Sequence, residues 1–79
     1  MRRADLVVAL EGARKAHHEY ETVSLAGEPD AMWPAFYAAF VIGRLGEVTS
    51  PSRLVAILES VQGEPWPELA ADAVLEAIR

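Results

Sequence analysis

The stretch AHHEYE, Ala16–Glu21, holds both histidines of the chain, beside a tyrosine and between acids. A histidine exchanges protons near neutral pH and a carboxylate can orient its ring, so a general base or a metal ligand is the chemistry to weigh. On a helix, His17 and Glu21 lie one turn apart on the same flank. His18 is turned about 100° from His17, toward solvent, so the two imidazoles do not easily serve one ligand. Asp30, at the entrance of the next helix, can join His17. Tyr20 and Tyr37 each carry a hydroxyl that could meet a ligand, although a helical tyrosine more often packs its ring and leaves the hydroxyl at the rim.

Two readings of the pair follow. In one, His17 is an acid–base group in a solvent-reaching pocket with Tyr20, Glu21 and Trp33. In the other, it is a boundary residue whose ring packs against Trp33 or Phe36 while a nitrogen bonds Glu21, Asp30 or a loop carbonyl. The candidate binding residues are therefore His17, Tyr20, Glu21, Asp30, Trp33 and Tyr37, with none assigned a catalytic role. A metal site usually needs three or four ligands. With two histidines, no cysteine and no HExxH, neither a metal nor another cofactor is expected.

The elements that must position these residues are helices. Alternating β-branched runs are absent, alanine is abundant, and prolines and glycines cut the chain into four pieces. The first helix is expected over about 4–24, with Leu6, Ala9, Leu10, Ala13, Ala16, Tyr20 and Val23 on one broad face. Arg14, Lys15, His18 and Glu19 fall outside it, and Gly27 and Pro29 stop it. The second is expected over about 30–45, with Asp30 as N-cap and Pro34 in its first turn. Its residues Trp33, Phe36, Tyr37, Phe40 and Val41 form an aromatic stripe, read chiefly as core. Ala35, Ala38, Ala39 and Ile42 widen its apolar arc, which calls for a second buried face.

The third helix, about 51–62, opens on Ser50 and Pro51, and the fourth, about 67–78, opens on Pro67. In the fourth, Leu69, Ala70, Ala73, Val74 and Ala77 are expected to face the core. Glu68, Asp72 and Glu76, preceded by Glu64, form an acidic ridge on the other side. Short connections predict an all-α single domain over 1–79, an antiparallel bundle or a pair of hairpins.

At 79 residues and 52% hydrophobic content, such a domain hides only about 60% of its unfolded surface and has apolar surface to spare for a partner. The net charge is −5, and the seven basic residues are scattered, which argues against nucleic-acid binding. A helix-turn-helix reading of FVIGRLGEVTSPSRLVAILESV is the weaker alternative, since its second helix offers only Ser52 and Arg53 to base edges. No apolar run approaches the roughly 20 residues of a membrane span, and the short run after Arg2–Arg3 does not make a signal peptide. A cytoplasmic location is the default.

The residues His17, Tyr20 and Glu21, followed by Asp30, Trp33, Phe36, Tyr37, Ala38 and Phe40, resemble a pattern of small bacterial helical proteins: His-x-x-Tyr-Glu, an acidic turn, then Asp-x-x-Trp-x-x-aromatic-Tyr-Ala-x-aromatic. Such proteins stand alone or beside glyoxalase/bleomycin-resistance-like domains. The resemblance covers about 6–45 and brings no transferable activity. It implies that His17, Glu21, Asp30 and Trp33 meet in space, as a polar cluster locking two helices or equally as a ligand site between them. The contact between the first two helices is the expected place of interest, with His17 bridging Glu21 and the Asp30 end under Trp33. The function expected is a small non-catalytic binding or interaction module, self-associating or bound to another protein. A small enzyme or ligand-binding protein using His17 is the alternative.

Overall fold

The computed structural model describes residues 1–79 and contains four helices: α1 (Arg3–Val23), α2 (Trp33–Leu45), α3 (Pro51–Ser60) and α4 (Trp66–Ile78). Each helix packs antiparallel on its chain neighbours and α4 closes back on α1, so the order around the bundle is α1–α2–α3–α4. The diagonal pairs α1/α3 and α2/α4 do not approach through their backbones. α1, at 21 residues, outruns α2 and α4, at 13 each, and its last turns project beyond the bundle into the 39 Å long axis.

Local signals account for most boundaries. The Arg2 backbone N–H donates to the Asp5 carboxylate and opens α1. The Ser50 hydroxyl accepts from the Arg53 N–H at 3.3 Å, and Pro51 takes the first helical position. Gly46 closes α2 with φ near +86°, a backbone region that costs glycine nothing.

Two boundaries differ from the expectation by more than one residue, each at a side-chain hydrogen bond made just outside the helix. α2 starts at Trp33, not Asp30, because Asp30 is committed elsewhere: its Oδ1 accepts from the Met32 N–H at 2.9 Å, a turn that precedes the helix. α3 ends at Ser60, not Gln62, because Val61 turns extended and its carbonyl accepts from the Trp66 indole N–H at 3.1 Å.

The core is aliphatic. Leu6, Leu10, Val41, Leu54, Leu58 and Val74 are fully buried, and Ala9, Ala13, Ala38, Ala70 and Ala71 let the helices come close between them. The rings of the α2 stripe are not the centre of that core: Val41 and Tyr37 are buried, whereas Trp33, Phe36 and Phe40 are half-buried along its seams. Val23 is exposed, because α1 has outrun its neighbours by that point, and Tyr20 is 38% exposed. On α4, Ala71 is buried in place of Ala73 and Leu69 faces outward. Gly12 lies against the Phe40 ring, where an added Cβ would come within 3.1 Å of it, so the glycine sets the α1–α2 separation.

Candidate functional site

The C-terminal half of α1, the loop between α1 and α2, and the first turn of α2 meet around His17. The side chain is buried, an uncommon place for a polar ring, and it is hydrogen-bonded as burial requires. Its Nε2 lies 3.0 Å from Asp30 Oδ2. Its Nδ1 lies 3.7 Å from Glu21 Oε1, too far for a hydrogen bond. Glu21 instead uses Oε2 to accept from the Asp30 backbone N–H at 2.9 Å. The imidazole, the two carboxylates and the loop backbone thus form one latch that ties the α1–α2 connection to α1. The Asp30 carboxyl is held below its ordinary pKa first by the His17 hydrogen bond and then by the Met32 N–H.

The His17 ring packs edge-on against Phe36 and Tyr37, at centroid distances of 4.9 and 5.3 Å. It does not lie under Trp33. Trp33 turns the other way and meets Tyr37 and Trp66 at 5.2 and 5.7 Å. Tyr20 is on another flank of α1, stacked on Phe36 at 5.3 Å. The expected pocket lined by His17, Tyr20, Glu21 and Trp33 is therefore not formed. Three of the residues singled out on α1 and its loop, His17, Glu21 and Asp30, are brought together in the latch; Tyr37 supports it, Tyr20 borders it with its ring 6.2 Å from that of His17, and Trp33 stands apart. His18 is exposed and turned from the latch.

On the α4 side of His17 lies an open groove of about 680 Å³. Arg14, Lys15, His18 and Glu21 of α1 form its wall, Tyr37 and His17 its floor, and Pro67 its far edge. Arg14 also donates to Glu64 at 3.1 Å, and Glu64 accepts from the Trp66 N–H at 2.8 Å, so one carboxylate ties α1 to the start of α4. Those two donors hold the Glu64 carboxyl below its ordinary value, the Trp66 N–H contributing more. Burial pushes the Tyr37 phenol up, while the nearby Arg14 charge opposes and the Glu21 charge adds to that shift.

Glu11, Arg14, Lys15, His18 and Pro67 line the groove without having been expected at the site. The available signal was the helical flank shared by Arg14, Lys15 and His18. Pro67 carried none, because its place beside α1 depends on how α4 docks. The groove does not gather three or more histidine and carboxylate side chains in a way that could hold a metal ion. No helix is long and apolar enough to cross a membrane.

No family model matches the chain, and the searches of curated proteins and of solved structures returned no match.

Proposed function

We propose that the chain is a small non-catalytic interaction module that self-associates through the outer face of the α1–α2 pair. The observation that carries this reading is where the exposed apolar side chains lie. Val8, Tyr20 and Val23 of α1 and Met32 at the mouth of α2 are 57%, 38%, 75% and 69% exposed. Between them run small residues, with Gly12 and Ala16 on α1 and Ala39 and Gly43 on α2, and the half-buried rings of Phe36 and Phe40. Small residues give a flat face on which a second pair of helices can come close.

A second copy suits this face better than an unrelated partner because its charges are self-complementary. Arg44, whose guanidinium lies 5.8 Å from the Phe40 ring centre, marks one end of the face, near Val8. Glu19, beside Val23, marks the other. A twofold axis across the middle would set each Arg44 near Glu19 of the partner subunit, as a closed dimer requires. An interface of standard size takes about 800 Å² per partner, which is a modest share of the 4936 Å² surface.

Sedimentation at micromolar concentration tests the reading. A concentration-dependent dimer is expected, and Ala39→Glu, an exposed position, is expected to give a folded monomer whose melting midpoint no longer rises with concentration. A monomer at all concentrations, or a dimer indifferent to Ala39→Glu, refutes it.

A further inference from the structure

The groove between α1 and the start of α4 has a feature that self-association does not use. Tyr37 is only 8% exposed and lines the groove, and no protein group bonds its hydroxyl. That hydroxyl is not sealed from solvent, since no fully buried side-chain oxygen or nitrogen lacks a partner. It is therefore open to a ligand in a groove of about 680 Å³. The charges around it are of both signs: Arg14 and Lys15 lie toward one end of the α1 wall and Glu21 toward the other. Arg14 spends one nitrogen on Glu64 and keeps further N–H donors.

We propose that this groove binds a zwitterion of dipeptide length, its carboxylate taken by Arg14, Lys15 and the Tyr37 hydroxyl and its ammonium by Glu21. The length follows from the helix. Seven residues separate Arg14 from Glu21, about 10 Å at the rise of an α-helix, and the two side chains reach inward from those anchors. Two extended residues span about 7 Å, whereas a free amino acid cannot touch both ends. The balance of charge selects a zwitterion over a simple anion, because Glu11 and Glu21 line the same groove and repel an anion that lacks an ammonium group. His17 holds the floor in place through its bond to Asp30.

The probe is glycylglycine, titrated into isotope-labelled protein and followed through backbone amide resonances, with glycine and an equimolar mixture of acetate and ethylammonium as controls. Saturable shifts confined to residues 11–21, 37 and 66–68 are expected with glycylglycine, at concentrations about tenfold below any effect of the controls. Tyr37→Phe, which removes a hydroxyl the fold does not use, and Lys15→Gln, at an exposed position, are each expected to weaken binding about tenfold, the loss of one bond to a charged group. Lys15→Gln carries the test by itself if Tyr37→Phe does not fold. Shifts from acetate equal to those from glycylglycine would make the groove a simple anion site. That result, an absence of saturable shifts, or binding indifferent to the folded variants would overturn the proposal.

Discussion

Trp66 is the side chain whose removal tests the packing argument most directly. It stands at the first position of α4, half-buried. Its ring meets Trp33 and Tyr37 edge-on at 5.7 and 5.4 Å, and its indole N–H donates to the Val61 carbonyl at 3.1 Å. α2 and α4 do not approach through their backbones, so these rings are side-chain contacts that bridge the two helices beside the shared aliphatic core. Trp66→Phe keeps most of the ring contacts and loses the N–H bond, at a cost of about 1 kcal/mol. Trp66→Ala also loses two aromatic pairs, each worth about 0.5–1.5 kcal/mol, together with the buried ring surface. Its cost is then about 3–5 kcal/mol.

A domain of this size has about 4–12 kcal/mol in total, and each kcal/mol moves its melting midpoint by about 4–8 °C. Trp66→Phe is therefore expected to melt several degrees below the parent, and Trp66→Ala at least about 12 °C below or to be unfolded at room temperature. Thermal unfolding followed by helical circular dichroism gives the midpoints, and urea unfolding gives the free energies. A Trp66→Ala variant within about 1 kcal/mol of the parent, the cost of an ordinary surface change, would show that the cluster does not hold α2 to α4. Equal losses for Phe and Ala would place the energy in the Val61 bond and not in the rings.

Trp33→Ala removes the other indole of that cluster, which is half-buried, and is expected to cost about 3 kcal/mol by the same urea measurement; a cost near zero would mean that Trp66 packs on Tyr37 alone. Stability should fall in acid. Asp30, Glu64 and Asp72 are all depressed, by His17, by the Trp66 N–H and by Arg3 respectively. A carboxyl lowered on folding stabilises above its unfolded value and loses that contribution as pH falls through its folded one. The melting midpoint should therefore be level with respect to these groups above their ordinary values of 3.8 and 4.5 and drop as pH falls below them. In Asp30→Asn the acid drop should be smaller, and an unchanged drop would detach Asp30 from the effect.

Much of the fold was legible because its signals are local. Ser50 and Pro51 start α3 at the expected residue, and α1 lies within one residue of its expected span at each end. The latch was legible in part for the same reason. Glu21 is one helical turn from His17, and Asp30 is separated from His17 by a short loop, so few conformations bring them together. The failures are long-range. Trp33 or Phe36 was expected to pack on His17; Phe36 does so, whereas Trp33 finds an edge-on partner in Trp66, 33 residues further on. Val23 matched the apolar period of α1 and is exposed because period alone does not say where a helix outlasts its neighbours.

The sequence by itself determined the four helices, their punctuation, and the one-turn pairing of His17 with Glu21, since propensity, capping and helical spacing act within a few residues. Only the tertiary structure decided which flank of α1 becomes the groove. That choice depends on α4 docking along α1, through contacts such as Arg14 to Glu64 across 50 positions of chain and Arg3 to Asp72 across 69. Docking of that kind follows from the shape of a whole aliphatic core, a quantity no short window of residues contains.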